Sequence, residues 1–291
     1  MKKHLYSITV LLAIAACGQA FAEEQNGQEK ELTDKNAVSR QALGVLAAQQ
    51  CFTSGSGTTF LKICITDNGN ISWFESPAGY VHLQNREGYA VCSGGVPGNG
   101  ATVHGFDANI ASGGWGGPTV SQPNGSGTLP LIITRKSLDG VIQLTQTFTL
   151  NTPEREVNVK IDVKNTSALI LDSVYLSRYY DGDIDGQTKN VYDRDQESVW
   201  ARGPYNNTAH GLMLNAAPAA NIEFQASGTE YIYWNPYGSG PQYARGCDWD
   251  NSYTPTTGDF VGILQVDLTP PWASRLNPGQ TRSVTIHYRR F

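Results

Sequence analysis

The sequence predicts an all-β fold, a large antiparallel β-sandwich preceded by one N-terminal helix. Apolar and polar residues alternate over long stretches, which places one face of each strand on a core. Only 16% of the 291 residues are charged, whereas glycine (31) and tyrosine (14) are plentiful. Such a composition is typical of many short strands joined by turns, and turn motifs do separate the alternating stretches.

The first 22 residues have the pattern of a bacterial export signal. Two lysines precede an apolar stretch at 5–16 that is too short to span a bilayer, and Ala20-Phe21-Ala22 is a small-x-small cleavage site. The sequence therefore predicts a secreted or periplasmic protein. The alternative is a lipoprotein motif ending in Cys17, which would give an outer-membrane lipoprotein with a lipid anchor and a polar tether over 23–31. No later stretch of the sequence is long and apolar enough for a transmembrane helix.

Residues 23–51 are predicted to form a polar linker and the single helix. Thr33 or Asp34 can cap a helix that runs to about Gln50. Five residues recur at helical spacing on one side of it: Val38, Ala42, Val45, Leu46 and Gln49.

Residues 52–291 are predicted to form a single β-sandwich domain, and the alternative is two sandwiches divided near residue 130. Three stretches show the clearest period of two, with apolar positions at Ile142, Leu144, Phe148 and Leu150, at Val157, Val159, Ile161 and Val163, and at Val284, Ile286 and Tyr288. Turns are predicted at Asp67-Asn-Gly, Asp139-Gly, Asn165-Thr-Ser and Asn277-Pro-Gly.

Four cysteines follow the export signal: Cys51, Cys64, Cys92 and Cys247. An even number in an oxidising compartment predicts two disulfides, for which three pairings are open, and the alternative is buried free thiols. We expect Cys51 to pair with Cys64, since this bond closes a short glycine-rich hairpin. Cys92 with Cys247 would then join an early segment to a late one. The spacings fit neither a zinc knuckle nor a CxxC redox site.

An acidic stretch at 178–197 predicts a calcium loop. Carboxylates at alternate positions followed by glycine resemble the first half of a loop that wraps an ion with oxygen ligands. The predicted metal ligands are Asp181, Asp183, Asp185, Gln187, Asp193 and Asp195. Tyr192 stands where a helical calcium hand has its bidentate glutamate, so this would not be a standard calcium hand. The alternative is a solvated loop whose carboxylates are neutralised by Arg178 and Arg194.

An aromatic stretch at 231–253 predicts a carbohydrate surface. Flat rings beside amide and carboxylate groups suit a sugar, whose C–H faces stack on rings while its hydroxyls need polar partners. The predicted ligand-binding residues are Trp234, Tyr237, Tyr243, Trp249 and Asp248, with Trp115 as an exposed aromatic on a separate glycine-rich loop. The alternative is that these rings belong to the core, since aromatic residues are common in strands.

The sequence contains no recognisable catalytic motif. It has no G-x-S-x-G elbow, no H-E-x-x-H and no phosphate-binding G-x-x-x-x-G-K-[ST]. His104 and His210 each precede a glycine and are predicted to lie in turns, and no acidic residue is locally tied to any histidine. A net charge of −5 without a basic block argues against a nucleic-acid partner.

Two stretches carry a family resemblance. Residues 139–180 contain an aromatic-bearing strand, a strand that ends in Asn-Thr-Ser and a strand that carries Arg178, and a second stretch runs from Phe260 to the Leu276-Asn-Pro-Gly turn. This order resembles the galactose mutarotase-like supersandwich of the aldose epimerases. By this resemblance, Arg178 stands where the family has its catalytic histidine. Gln265 stands where the family has its general-base glutamate. Because neither residue can transfer a proton at neutral pH, epimerase chemistry is not expected.

The function expected from these features is non-catalytic binding of carbohydrate or another cell-envelope component, since similar sandwiches form non-catalytic parts of polysaccharide-active proteins. One alternative is a carbohydrate-active enzyme, a polysaccharide lyase or glycoside hydrolase, that uses carboxylates among residues 181–195, Asp248 and Asp250. Another is a structural or adhesive surface protein.

Overall fold

The apolar and polar residues that alternate in the sequence lie on opposite faces of the strands, with the apolar face buried. The computed structural model describes residues 48–84, 87–94, 102–108, 111–186, 190–194, 198–203, 210–216, 223–230, 256–258, 260–269 and 275–291. These residues form nineteen strands in three antiparallel sheets of four, nine and six strands. Among them no helix is long and apolar enough to cross a membrane.

The four-stranded sheet is a meander. Its strands, in order, are β1 (Gln49–Ser54), β2 (Leu61–Thr66), β3 (Ile71–Glu75) and β4 (Val81–Gln84). Cys51 lies directly opposite Cys64 in the β1–β2 pairing, and the two form a disulfide with a Cα–Cα distance of 4.0 Å. The predicted pairing of these two cysteines is thus confirmed.

The predicted helix is wrong at its C-terminal end. Gln49 and Gln50 lie in strand β1, because backbone pairing with β2 and the disulfide hold this segment extended. The Gln49 side chain accepts a hydrogen bond from Ser72 Oγ at 2.8 Å, so it joins neighbouring strands instead of a helix face. The remainder of the predicted helix, the linker and the export signal lie outside the described residues.

The other two sheets are larger. The nine-stranded sheet contains, in chain order, β8 (Thr119–Ser121), β9 (Leu131–Lys136), β10 (Ile142–Asn151), β11 (Glu156–Asn165), β13 (Asn190–Arg194), β14 (Ser198–Arg202), β15 (Gly211–Ala216), β17 (Thr256–Gly258) and β19 (Thr281–Arg290). The six-stranded sheet contains β5 (Glu87–Ser93), β6 (Thr102–Ala108), β7 (Ala111–Gly113), β12 (Tyr175–Asp181), β16 (Glu223–Glu230) and β18 (Phe260–Asp267).

One apolar core joins all three sheets, which makes the predicted sandwich correct. Residues from each sheet pack in the same buried cluster, among them Ile63 and Phe74, Val159 and Ile286, and Val91 and Leu264. The apolar positions predicted for β11 are all fully buried, as the period of two requires. The predicted Asp139-Gly turn joins β9 to β10, with Gly140 in the left-handed region at φ 75°.

Candidate functional sites

A buried polar network ties the three sheets together at Arg178 of β12. Its guanidinium donates to Glu87 of β5 at 2.6 Å and to the Tyr288 hydroxyl of β19 at 2.8 Å. It also donates to Gln146 Oε1 of β10 at 2.7 Å and to the carbonyl of Gly69, in the β2–β3 turn, at 3.2 Å. Arg178 and Glu87 are both fully buried, so this cation is held by the protein and not presented to solvent.

Burial and charge act in opposite directions on this pair. Burial raises the pKa of Glu87, and the Arg178 guanidinium opposes that rise. Burial alone would lower the pKa of Arg178, but Glu87 and Tyr288 outweigh it and raise that pKa. The network therefore pairs a buried cation with a buried carboxylate and supplies each with hydrogen bonds.

The two positions that the epimerase resemblance singled out do not form one site. Arg178 pairs with Leu264 across the β12–β18 ladder, whereas Gln265 pairs with Ser177. Cross-strand partners share a face and successive residues alternate, so Arg178 and Gln265 project from opposite faces of the sheet. Gln265 is itself buried and its amide donates to Ser177 Oγ at 3.4 Å.

A group of potential metal ligands lies at the acidic loop. Among the residues that the structure describes, one set of three side chains brings metal-binding atoms within 4.8 Å of one another, namely His82, Asp185 and His210. Asp185 Oδ1 is 3.6 Å from His82 Nδ1 and 3.2 Å from His210 Nδ1. His82 comes from β4, Asp185 from a 3-10 turn after β12, and His210 directly precedes β15.

The His82 ring is fixed in orientation and in proton position. Its Nε2 is 2.6 Å from the carbonyl oxygen of Ser76, and a carbonyl can only accept, so Nε2 carries the hydrogen. Burial lowers the pKa of His82 to about 4, so the ring is neutral at pH 7. The lone pair of a neutral ring is then on Nδ1, on the side that faces Asp185.

The predicted calcium ligands differ in burial and in the elements that hold them. Asp181 is buried in β12, while Asp183 and Asp193 are half-buried. Asp185 joins the two histidines, in the left-handed region at φ 55° and ψ 29°, which aspartate tolerates better than most residues. Gln187 and Asp195 lie outside the described residues. The calcium site stays a prediction.

A third histidine, His104, forms a Ser–His–Asp series of hydrogen bonds. His104 Nε2 is 2.7 Å from Ser93 Oγ, and His104 Nδ1 is 2.6 Å from Asp139 Oδ2. Burial alone would raise the pKa of Asp139, but hydrogen bonds from His104, Ser137 and the backbone N–H of Val141 hold it below its usual range. The carboxylate is therefore ionised at neutral pH and fixes the histidine ring.

The solvent exposure of Ser93 and Asp139 is the reverse of that in the catalytic triad of a serine hydrolase. Ser93 is 7% exposed, whereas the side chain of Asp139 is 39% exposed. A nucleophile must meet its substrate, while the orienting carboxylate is the member that is normally buried. We therefore assign the hydrogen bonds among Ser93, His104 and Asp139 a structural role, in which they connect β5 and β6 to the β9–β10 turn. His104 lies inside β6, so the predicted turn at this residue is wrong.

The residues predicted to bind sugar fall into two groups. Trp115 is only 7% exposed, and its ring packs against Gly105 while the Arg135 guanidinium lies 5.8 Å from the ring centroid. The expectation that it is exposed is wrong, because the glycine at position 105 leaves space for the ring to enter the core. The others lie outside the described residues: Trp234, Tyr237, Tyr243, Asp248 and Trp249.

Of the second predicted disulfide, Cys92–Cys247, the structure describes one cysteine. Cys92 of β5 is fully buried and is itself disulfide-bonded. Cys247 lies outside the described residues, so its pairing with Cys92 stays a prediction. Cys92 is not a free thiol.

Sequence reasoning missed the partners of the histidines. His82 and His210 meet Asp185 from 103 and 25 residues away, and His104 meets Asp139 from 35 residues away. The glycine after His104 and after His210 suggested turns and drew attention away from these contacts. One usable signal was the predicted Asp139-Gly turn, which places a carboxylate at the end of a core hairpin.

Comparison with known proteins identifies the fold and not a family. No protein-family model and no curated protein matches the sequence. Among solved structures, a bacterial glucoamylase complexed with acarbose matches 84% of this chain with a TM-score of 0.58 and 12% identity. The chain corresponds to 32% of that glucoamylase, about a third of its length.

Further structural matches are more distant. A galactose mutarotase-like protein from Lactobacillus casei ATCC 334 matches 83% of this chain and 100% of its own, with a TM-score of 0.44 and 10% identity. A GH36 alpha-galactosidase from Geobacillus stearothermophilus matches 83% of this chain and 40% of its own, with a TM-score of 0.31 and 10% identity. The glucoamylase match, at a TM-score of 0.58 and 12% identity, shows a shared fold alone.

Proposed function

We propose that this chain is an exported bacterial β-sandwich protein that binds carbohydrate, or another component of the cell envelope, without catalysing epimerisation. The binding surface is the aromatic stretch at 231–253, with Trp234 and Trp249 as stacking residues and Asp248 as a polar partner. The structural match to a glucoamylase complexed with acarbose supports carbohydrate as the ligand class.

The burial of Arg178 is the observation that supports binding without epimerase chemistry. A fully buried guanidinium bonded to Glu87 and Tyr288 occupies the position where the resemblance implies a catalytic histidine. Gln265, at the implied general-base position, projects from the other face of the sheet. These two side chains therefore cannot act as an acid–base pair on one sugar.

A glycan array and a polysaccharide-degradation panel on the mature protein test this function. We expect retention of at least one glycan without release of product. Trp234→Ala and Trp249→Ala should each weaken binding about tenfold or more, since stacking and burial of one ring contribute at least about 1.4 kcal/mol. Trp73→Phe, a change on strand β3, is the matched control and should bind normally.

Two results would contradict the proposal. Product release that stops with a single carboxylate-to-amide change would favour the alternative, a lyase or hydrolase. An absence of both binding and turnover would favour a structural or adhesive surface protein.

Export is tested on the protein produced with its first 22 residues. Cleavage after Ala22 gives a mature chain that begins at Glu23, which intact-mass measurement detects. A chain that begins at a lipid-modified Cys17 would instead show the lipoprotein alternative. Recovery of the uncleaved chain from the cytoplasm would contradict export.

A further inference from the structure

We propose that His82, Asp185 and His210 form a binding site for a divalent transition metal, with zinc as the best fit. Two imidazole nitrogens and one carboxylate oxygen are ligands that such metals favour, and three protein ligands leave one position for water or another molecule. Its three ligands lie outside residues 231–253 of the sequence, and zinc binding at these ligands does not require carbohydrate binding.

The spacing of the ligand atoms fits direct coordination. Metal–ligand distances of about 2.0–2.2 Å in a tetrahedral site place neighbouring ligand atoms about 3.3–3.6 Å apart. Asp185 Oδ1 is 3.2 Å from His210 Nδ1 and 3.6 Å from His82 Nδ1. All three ligand atoms lie within 4.8 Å of one another, so one ion can reach them after the side chains draw together.

The surroundings of the ligands also suit a metal. Metal-binding histidines commonly donate the second ring N–H to a carbonyl or carboxylate, which fixes the ring and its tautomer. The Ser76 carbonyl takes this role for His82. The exposed Tyr80 ring packs edge-on against His210, with centroids 4.8 Å apart.

The three ligands are held by three separate parts of the fold. His82 is fully buried, while Asp185 and His210 are each 12% exposed, so the ligand group is shielded without being sealed. The left-handed backbone at Asp185 turns this residue back toward the histidines, and its N–H lies 3.4 Å from His82 Nδ1.

A simpler alternative is that Asp185 only pairs with His210, whose Nδ1 lies 3.2 Å from Asp185 Oδ1, and binds no metal. Arg290 also interacts electrostatically with both Asp185 and His82, and its positive charge opposes a cation. In this alternative, His82 Nδ1 only accepts a hydrogen bond from the Asp185 N–H at 3.4 Å. A metal uses both rings.

The test uses the full chain, freed of metal with a chelator and then of chelator by gel filtration. It is titrated with Zn²⁺ in a calorimeter and with Co²⁺ in a spectrophotometer. We expect one zinc per chain and the visible absorption of tetrahedral Co²⁺. His210→Ala and Asp185→Asn should each weaken zinc affinity about 100-fold or more, because loss of outer partners alone costs about 10–100-fold. Asn tolerates the left-handed backbone as well as Asp does, so Asp185→Asn changes the ligand and preserves the turn.

The matched control is His287→Ala. His287 also lies beside a carboxylate, 2.9 Å from Glu156 Oε1, but on strand β19 with no second histidine in its pair. This variant should bind zinc as the unchanged protein does. Zinc binding that is absent, or that is equally strong in Asp185→Asn with an unchanged circular-dichroism spectrum, would overturn the proposal.

Discussion

Arg178 Nε lies 2.6 Å from Glu87 Oε1, and neither side chain has any exposed surface. The two residues are 91 positions apart, and Tyr288 from the nine-stranded sheet bonds to both of them. Aromatic rings surround the guanidinium, with the centroids of Tyr89, Phe148 and Tyr288 at 5.5–6.0 Å from Cζ. The polar centre of the sandwich is thus an ion pair and not a binding pocket.

Removing one member of this pair should be strongly destabilising. Glu87→Gln keeps the shape of the side chain but leaves the Arg178 charge without compensation, and we expect a loss of about 3–5 kcal/mol in the free energy of unfolding. Urea denaturation measures this loss. The double change Glu87→Gln with Arg178→Met should cost less than the sum of the two single changes, because no unpaired charge remains.

The control for that prediction is an exposed pair with similar geometry. Glu154 and Arg289 also approach to 2.6 Å, but their side chains are 47% and 42% exposed. Glu154→Gln should cost no more than about 1 kcal/mol, since water screens the interaction. Equal losses for the two glutamates would show that the buried pair does not hold the sheets together.

The pH dependence of stability should contain a contribution from Asp139. Its hydrogen bonds hold the folded-state pKa below the ordinary 3.8, so the unfolded chain binds the proton more tightly. The contribution is present above about pH 4 and is lost as the pH falls through the folded-state pKa. Urea midpoints between pH 6 and pH 2 should therefore fall more steeply for the unchanged protein than for Asp139→Asn.

Asp172→Asn controls for the effect of removing one surface carboxylate. Asp172 pairs with Arg275 at 2.7 Å, but both side chains are more than half exposed. This variant should retain the steep acid slope. An identical slope for Asp139→Asn and the unchanged protein would mean that the Ser93–His104–Asp139 chain does not stabilise the fold.

The burial of Trp115 depends on the missing side chain at position 105. A Cβ on Gly105 would lie 2.5 Å from the Trp115 ring, so Gly105→Ala should overpack this part of the core and cost about 1–3 kcal/mol. Gly117→Ala is the control, because its Cβ would meet nothing within 4 Å. Thermal unfolding compares them. A neutral Gly105→Ala would indicate that the ring is free to move outward.

The strand pattern was predictable because it depends on neighbours along the chain. The alternation in Val157-Asn-Val-Lys-Ile is local, and it correctly gave strand β11. The Cys51–Cys64 pairing was also accessible, since 13 positions separate its members across one hairpin. The helix prediction failed at Gln49 because strand pairing and a disulfide outweighed the weak helical pattern.

The candidate sites were less predictable because their members are brought together by sheet topology. Asp185 was singled out for its aspartate neighbours, yet its ring partners come from β4 and from the segment before β15. Periodicity assigns a residue to a face but does not say which distant strand lies opposite. The structure therefore places Asp185 beside two histidines that its neighbours in the sequence did not indicate.

Calcium and zinc make different demands on the acidic loop, so the two metal predictions can be separated. Calcium favours six to eight oxygen ligands, which would involve Asp183 and not the histidines. If calcium binds, millimolar Ca²⁺ should raise the melting temperature, with about 2.7 kcal/mol of stabilisation at 100 times Kd. Asp183→Ala should abolish that rise, whereas His210→Ala should leave it unchanged.

The same variants should respond to zinc in the opposite pattern. His210→Ala removes one of the proposed nitrogen ligands and should abolish the zinc-induced rise in melting temperature, whereas Asp183→Ala should preserve it. Asp185→Asn should weaken the response to either ion that binds in this loop, because Asp185 is a ligand in both predictions. No shift with calcium up to millimolar concentration would rule out the calcium loop, and a zinc response that persists in His210→Ala would place the zinc elsewhere.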